Sequence, residues 1–303
     1  MAAPGKAPSI GMVVTEHIAA GLVSGGRLSG EIRRTLYNED DVHGIRGMPA
    51  DSLVKLLAAE AKALAAGNPV DAVGVAFPGV IRNGVIEESP NLPQLKGFLV
   101  GAAMRDALSA GGINARIHIS NDADVVATGL AAREGNLDRV IRVWTLGTGI
   151  GFGHYPASDG VWEGGHTVVS LSQNENYCAC GGRGHLESIM GHRAMRLRFL
   201  DREPEEIFAA AKEGPNSDPR CVEFVILWHR ALAAATATSI HLEGPGKFYI
   251  TGMNARFVNL SFLNRCVQEM VKFSPLQCYV LEVVPTNDEL AVVGAAVNAC
   301  TAN

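Results

Sequence analysis

The segment from Cys178 to His185 contains the residues best suited to bind a metal ion. It reads Cys-Ala-Cys-Gly-Gly-Arg-Gly-His, so two thiols and an imidazole share one short loop. Its glycines let the backbone fold tightly enough for Cys178, Cys180 and His185 to face one point. His166, further upstream, can supply a fourth ligand, and a set of two sulfurs and two nitrogens favours zinc over magnesium or calcium. The spacing predicts a closed structural zinc site; the alternative is two incidental thiols in a glycine-rich loop.

Asp122 lies where a short predicted strand, residues 116–120, meets a predicted helix, residues 122–133. Asn121 or Ser120 is expected to cap that helix. A carboxylate at a helix N-terminus is favoured by the helix dipole, so by itself Asp122 has a purely structural explanation. A chemical role for this residue requires support from other motifs.

Alternating helical and β-type patterns indicate an α/β protein. Residues 52–66 place leucines and alanines at helical spacing, with Asp51 as the expected N-cap. Residues 70–77 are almost wholly apolar, as in a strand buried on both faces, and end at Pro78-Gly79. One hairpin is predicted near residue 10, with its turn at Gly25-Gly26, and another around residues 146–149.

Composition favours a soluble protein that binds a small neutral ligand. With 303 residues and 47% apolar content, the chain can form two cores with a cleft between them. Charged residues make up 19%, the net charge is -5 and no run of five like charges occurs, which argues against nucleic-acid or membrane binding. The apolar stretch 231–240 is far shorter than the roughly 20 residues of a membrane span.

The cysteine content and the N-terminus both favour a cytoplasmic location. Six cysteines are too sparse for a disulfide scaffold. No apolar block precedes Ser9, so no secretory signal is expected.

Several motifs together resemble those of the ROK family, which groups repressors, open reading frames and sugar kinases. Residues 178–187 resemble the family's zinc motif Cys-x-Cys-Gly-x-x-Gly-Cys-x-Glu, with His185 in place of the third cysteine. Glu163-Gly164-Gly165-His166 resembles the family's Glu-x-Gly-His segment. Further matches follow the family's order at residues 74–79, 89–93, 121–124, 145–153, 284–285 and 293–296.

The resemblance implies an actin-like, ribonuclease H-like α/β fold with two lobes and an interlobe cleft. An N-terminal lobe of residues 1–121 would be closed by the C-terminal helix, residues 289–303. Residues 122–288 would form the second lobe, which carries the zinc loop. The resemblance also implies a homodimer.

The family also implies roles for particular residues. Asp122 would be the general base that deprotonates a sugar hydroxyl as it attacks the γ-phosphate of ATP, with Mg²⁺ bound to the nucleotide. The sugar would be held by Asn91, Asn121, Glu163, His166 and Glu187. The nucleotide would be bound by Thr148, Gly149, Gly151 and Gly252. His166, Cys178, Cys180 and His185 would bind zinc.

The opening hairpin departs from the family pattern. ROK kinases usually carry Asp-x-Gly-Gly-Thr-Lys there, and this chain has Met12 for the Asp, Val14-Thr15 for the glycines and Glu16-His17 for Thr-Lys. Gly252-Met253-Asn254 also stands where the family usually has two or three consecutive glycines. Both changes lie on the nucleotide side.

The resemblance to the ROK family admits three functions. The leading prediction is a kinase for a hexose or N-acetylhexosamine, and the alternative is a catalytically impaired sugar-binding pseudokinase. A DNA-binding ROK repressor needs a winged helix ahead of the sugar lobes, and the first predicted strand near Ser9 leaves no room for one.

Overall fold

The computed structural model describes residues 7–35, 44–135, 140–156, 162–212 and 214–302. In these ranges the strands are β1 (Ser9–Val14), β2 (Ile18–Ser24), β3 (Arg27–Leu28), β4 (Arg33–Thr35), β5 (Ala72–Phe77), β6 (Val80–Arg82), β7 (Val85–Glu88), β8 (Arg116–Asn121), β9 (Ile141–Leu146), β10 (Ile150–Tyr155), β11 (Lys247–Thr251) and β12 (Val280–Val283). The α-helices are α1 (Ala50–Ala65), α2 (Val100–Ser109), α3 (Asp122–Glu134), α4 (Leu186–Met190), α5 (His192–Arg198), α6 (Pro204–Ala210), α7 (Pro219–Glu243), α8 (Leu260–Met270) and α9 (Asp288–Thr301).

The chain folds into two compact units. Unit 1 comprises Met1–Ile141, Gly153–Val161 and Asn287–Asn303, and unit 2 comprises Arg142–Phe152 and Trp162–Thr286. The predicted domains divide at Asn121/Asp122, whereas the compact units divide near Ile141. The difference arises because α3 packs along α9 in unit 1, with Thr128 of α3 hydrogen-bonded to Asn298 of α9 at 3.0 Å.

Unit 1 is built on a mixed sheet in the order β3-β2-β1-β5-β8, with β4 also paired to β2. β1 runs antiparallel to β2 and parallel to β5, which in turn runs parallel to β8. Alternate residues of a strand point to opposite faces, so Met12 packs in a core with α1 and α2, whereas Val13 packs in a core with α3 and α9. The sheet is therefore covered by helices on both faces.

The opening hairpin differs from its sequence prediction. The residues before the predicted turn at Gly25-Gly26 form two strands, β1 and β2, rather than one arm of a hairpin, because the chain already turns at Thr15–His17 and Val14 pairs with Ile18. Gly25 and Gly26 form the following turn, between β2 and β3, with positive φ angles of 58° and 73°.

Of the two predicted helix N-caps, the one at α3 is confirmed and the one at α1 is not. Asn121 caps α3 as expected, since its Oδ1 accepts the N–H groups of Ala123 at 2.8 Å and Asp124 at 3.2 Å. The prediction that Asp51 caps α1 was wrong. That helix begins after Pro49, whose fixed φ suits a helix start, and Asp51 lies in its first turn, where the helix dipole favours an acid.

Unit 2 contains a four-stranded sheet in the order β10-β9-β11-β12. Its core is rich in aromatic side chains, among them Trp144 of β9, Trp228 of α7 and Phe248 of β11. The Trp144 indole N–H donates to Thr236 Oγ1 at 3.1 Å, which satisfies the polar atom of a buried ring. Among all residues described, no helix combines the length and the apolar character needed to span a membrane.

Candidate functional site

The four predicted zinc ligands form one cluster in unit 2. One ligand atom from each of His166, Cys178, Cys180 and His185 lies within 4.8 Å of every other. The two Nδ1 atoms are 3.2 Å apart, the two Sγ atoms 3.3 Å, and three of the sulfur–nitrogen separations are 3.3–3.5 Å. Tetrahedral zinc with ordinary bond lengths requires separations of roughly 3.3 Å between nitrogens to 3.8 Å between sulfurs. The donor set therefore suits zinc, and the separations that involve nitrogen are close to those of a tetrahedral site, whereas the two Sγ atoms would have to move apart by about 0.5 Å.

Glycines allow the loop to bring these ligands together. Gly181 and Gly184 have φ angles of +81° and +70°, which residues with a Cβ rarely adopt. A Cβ on Gly182 would lie 2.1 Å from the His185 ring, and a Cβ on Gly184 would lie 1.9 Å from the Ser170 carbonyl oxygen. The loop is also tied to the His166 segment, since the N–H of Leu186 donates to Thr167 O at 2.9 Å.

The protonation equilibria of the cluster suit a metal site. Burial raises the pKa of the Cys178 thiol to about 12, and Cys180 and the negative charge of Glu187 contribute, although a backbone hydrogen bond at Cys180 opposes them. Burial, and next the neighbouring His166, lower the pKa of His185, which favours the neutral imidazole that metals bind. Zinc binding would displace the Cys178 proton, because the thiolate is the ligand form.

Glu187 connects the cluster to the β9–β10 turn within unit 2. Its Oε2 accepts the N–H of Ile150 at 3.1 Å, and its Oε1 accepts the Cys178 thiol at 3.4 Å. A Cβ on Gly149 would lie 2.5 Å from Oε2, so glycine is needed for this approach. The carboxylate is therefore held in place by the predicted zinc loop on one side and the predicted phosphate turn on the other.

The Glu163–His166 segment packs closely on β10. Gly164–His166 form a 3₁₀ turn in which the N–H of His166 donates to Glu163 O at 2.9 Å. A Cβ on Gly165 would lie 2.0 Å from Ile150 O, and a Cβ on Gly164 would lie 2.5 Å from Phe152 Cβ. The side chain of Glu163 lies 3.8 Å from His166 Nε2. Glu163, His166 and Glu187 are thus all arranged around β10 in unit 2.

In unit 1, the predicted residues gather at the carboxyl ends of β5 and β8. Phe77 at the end of β5 pairs with Asn121 at the end of β8, and Asn121 Nδ2 donates to Gly79 O at 2.9 Å. Ser89 Oγ donates to Pro78 O at 2.6 Å, which draws the segment carrying exposed Asn91 towards the same edge. Ligands of open α/β sheets bind outside the carboxyl ends of strands, so this is the chemically relevant edge.

Asp122 begins α3 at this edge. Its Oδ1 accepts the N–H of Ala123 at 3.0 Å. Burial raises the pKa of Asp122 above its ordinary value, and backbone hydrogen bonds from Ala123 and from its own N–H oppose this shift only in part. A carboxylate with a raised pKa binds a proton more strongly, which suits a general base.

The contacts that fix the start of α3 were not predicted from sequence. The N–H of His154 in β10 donates to Asp124 Oδ1 at 2.9 Å, and a Cβ on Gly153 would lie 2.0 Å from Ala123 O. Asp124 is part of the Asn-Asp-Ala-Asp motif, so its presence was visible, but the partner strand was not. The end of β10 is held directly against the first turn of α3 in unit 1.

The predicted nucleotide residues Thr148, Gly149 and Gly151 lie at the β9–β10 turn and in β10. Gly252 lies beside this turn: its φ is +100°, and a Cβ there would lie 2.4 Å from Leu146 O. A cavity of about 730 Å³ opens beside Thr148, within the volume range of small-molecule sites.

A pair of side chains that sequence reasoning missed supports the β9–β10 turn. His192 Nδ1 is 3.1 Å from Asn254 Oδ1, and Asn254 Nδ2 donates to Gly147 O at 3.2 Å. The N–H of His192 also donates to Gly147 O, at 2.9 Å. His192 and Asn254 are 62 residues apart, so no local pattern signals their contact.

Residues 31–301 match the sequence model of the ROK family, a span that covers most of the chain. The chain belongs to the ROK family. A glucokinase of Pyrobaculum calidifontis is 28% identical over 254 residues, covering 78% of this chain and 81% of that protein. The ROK hexokinase from Thermus thermophilus superposes with a TM-score of 0.77 at 22% identity, covering 97% of this chain and 98% of that one. A ROK family glucokinase from Streptomyces griseus, in complex with glucose and AMPPNP, gives a TM-score of 0.67 at 20% identity, covering 97% and 99%.

These similarities confirm the predicted family and the actin-like α/β fold class. The structure also shows what the altered ROK hairpin contains. Met12, at the place of the usual aspartate, is fully buried in the core of unit 1, and a thioether offers no hard oxygen ligand. His17, at the place of the usual lysine, lies with its Nε2 3.2 Å from Asp288 Oδ2, which also accepts Arg34 Nε at 2.7 Å.

Proposed function

We propose that this ROK protein is an ATP-dependent kinase that phosphorylates a hydroxyl of a hexose or N-acetylhexosamine. The observation that carries the proposal is Asp122, a carboxylate with a raised pKa at the first residue of α3 in a chain of this family. The relative from Pyrobaculum calidifontis is a glucokinase, and the Streptomyces griseus structure holds glucose and AMPPNP, so sugar and nucleotide are the expected ligands.

Asp122 acts as the general base in this proposal. It takes the proton of the sugar hydroxyl while the hydroxyl oxygen forms a bond to the γ-phosphorus of ATP. The bond from that phosphorus to the bridging oxygen breaks, and ADP leaves with the bonding electrons. A positioned base of this kind contributes a rate factor of roughly 10²–10⁴.

The proposed sugar ligands are hydrogen-bonding side chains, as a neutral polyol requires. They are Asn91, Asn121, Glu163, His166 and Glu187. The N–H of Ile150 fixes the Glu187 carboxylate by donating to its Oε2, so its Oε1 is available to a sugar hydroxyl once zinc has displaced the Cys178 proton.

The proposed nucleotide contacts are Thr148, Gly149, Gly151 and Gly252, of which Thr148 lines the cavity of about 730 Å³. Backbone N–H groups at a tight turn can approach phosphate oxygens closely when no Cβ intervenes. Mg²⁺ would enter with ATP, and when bound it neutralises phosphate charge. Homodimer assembly and a cytoplasmic location stay predictions from the sequence.

Structural zinc is the remaining part of the proposal. His166, Cys178, Cys180 and His185 would hold it, and its contribution would be to fold the loop that positions Glu187.

We expect purified protein to contain about one zinc per chain by mass spectrometry of the metal. A Cys180→Ser variant should lose most of that zinc, whereas Cys278→Ser, another exposed cysteine, should retain it. Equal zinc content in the two variants would exclude this cluster as the site.

Turnover of Asp122→Asn tests the function. ADP release is measured in a coupled assay with Mg-ATP and a panel of hexoses and N-acetylhexosamines. We expect kcat to fall by roughly 10²–10⁴ while the sugar Kd from calorimetry changes little. Asp106→Asn, at an exposed position of α2, is the matched control and should keep full activity.

Two outcomes would contradict the proposal in different ways. If the Asp122→Asn variant turned over as fast as the unaltered protein, Asp122 would not be the general base, and another residue would hold that role. Sugar binding by the unaltered protein without ADP release from any sugar would remove the kinase assignment itself.

A further inference from the structure

A second cavity, of about 480 Å³, lies in unit 1 beside β8. It is lined by the C-terminal half of α2, the segment entering β8 and the last turn of α9: Arg105, Ser109, Asn114, Ala115, Arg116, Ile117, His118, Ala299 and Ala302. β8 ends the strand order of its sheet. Arg116 N–H donates to Asp71 O, on the β5 side, so the backbone groups of Ile117 point towards the outer edge.

Most polar side chains of this cavity have no partner among the described residues. Among the residues that the structure describes, the side chains of Arg105, Ser109, Asn114 and His118 make no hydrogen bond or ion pair. His118 is partly buried, so solvent does not fully compensate its ring. Burial lowers the pKa of His118, which leaves a neutral imidazole with one donor and one acceptor nitrogen. Several convergent donors are therefore available to a ligand.

The charged side chains described in the lining are all basic. Among the described residues that line the cavity, two are arginines and none carries a carboxylate side chain, although the whole chain carries a net charge of -5. Arg116 has a partial structural explanation, because its guanidinium donates to Cys300 O and Ala302 O at 3.3 Å, at the negative end of the α9 dipole. Arg105 has no such explanation, since none of the described carboxylates lies within ion-pair distance of it.

We propose that this cavity binds a sugar phosphate, with the phosphate group between Arg105 and Arg116. Guanidinium groups donate paired hydrogen bonds that match phosphate oxygens. The cavity volume of about 480 Å³ exceeds what a phosphate group occupies, and Ser109, Asn114 and His118 can bond the hydroxyls of an attached sugar. The site lies on β8 and α2 rather than at the β9–β10 turn, so it is separate from the residues proposed for nucleotide binding. The proposal concerns binding alone and holds whether or not the protein is a kinase.

Calorimetric titration of the full chain tests this proposal. Glucose 6-phosphate and inorganic phosphate are titrated separately, without nucleotide, at constant ionic strength and with glucose in excess to occupy the proposed sugar site. We expect saturable binding of glucose 6-phosphate with a Kd near or below about 1 mM, and weaker binding of inorganic phosphate. Arg105→Gln, at an exposed position, should weaken glucose 6-phosphate binding at least about tenfold. Arg265→Gln, an exposed arginine on α8, is the matched control and should leave it unchanged.

The Asn114→Ala variant is a second probe that keeps both arginines. It should weaken glucose 6-phosphate more than inorganic phosphate, because it removes a contact to the sugar and not to the phosphate. The site would be excluded by equal affinities of the unaltered protein and Arg105→Gln, or by no heat of binding up to about 10 mM ligand. An equal loss in Arg265→Gln would indicate a general charge effect, and binding of inorganic phosphate without glucose 6-phosphate would overturn the assignment of the ligand.

Discussion

Substitution of Gly129 by alanine should destabilise the protein through the contact between α3 and α9. A Cβ at this position would lie 1.9 Å from Leu290 O and 2.6 Å from Leu290 C, both backbone atoms that cannot rotate away. To reach an ordinary contact of 3.4 Å, α9 would have to move by about 1.5 Å. The approach of α9 to the backbone of α3 is equally close, because a Cβ on Gly294 of α9 would lie 1.7 Å from Val125 O of α3.

The expected size of the effect follows from two opposing contributions. Alanine in a helix interior is favoured over glycine by about 1 kcal/mol. Overpacking typically lowers the free energy of unfolding by about 1–3 kcal/mol, and we expect a value near 3 kcal/mol here because the clash is with backbone atoms of a buried helix pair. The net loss is about 2 kcal/mol, which lowers Tm by roughly 4–8 °C for a unit of this size. Since α3 begins at Asp122, a shifted helix should also lower kcat.

Gly101→Ala is the matched control for this experiment. Gly101 also lies in a helix, α2, but the nearest atom to its Cβ would be Ile119 Cγ1 at 3.5 Å. Tm of this variant, measured by calorimetry beside Gly129→Ala, should stay the same or rise. A Gly129→Ala protein as stable as Gly101→Ala would refute the reasoning, because the clash with α9 would then have no energetic consequence.

Two further predictions concern charged groups. Burial raises the pKa of Asp122 in the folded protein, so the free energy of unfolding falls as pH rises from the ordinary pKa of 3.8 through the raised pKa. Asparagine cannot ionise, so the Asp122→Asn variant should have a higher Tm than the unaltered protein near neutral pH. In acid, where Asp122 is protonated, the two Tm values should be equal. Arg198 pairs with Glu175, whose side chain is 7% exposed. The Arg198→Met variant leaves that buried carboxylate without its partner, so the free energy of unfolding from chemical denaturation should fall by about 3–5 kcal/mol. A double variant that also carries Glu175→Met removes the unpaired charge and should recover much of this loss.

The zinc ligands and the N-cap of α3 could be predicted from the sequence because each depends on residues that are close together in the chain. The ligands Cys178, Cys180 and His185 lie within one short loop whose glycines favour tight turns, so their proximity depends little on the rest of the fold. The Asn121 cap of α3 is equally local, because a cap bonds N–H groups two and three residues away. The resemblance of the ordered motifs to the ROK family implied the fold class, which the family match and the solved ROK structures confirm.

Long-range packing decided the rest. Glu187 reaches the N–H of Ile150, 37 residues away, and His192 meets Asn254, because separate elements converge on the β9–β10 turn. The placement of α9 in unit 1 depends on close approaches at Gly11 and Gly74, where a Cβ would lie 1.8 and 1.9 Å from backbone oxygens of the helix. Sequence alone determined which side chains could bind zinc, sugar or phosphate, since that is a property of residue type. Only the tertiary structure decided which of them lie together, since contacts between distant segments depend on how sheets and helices pack.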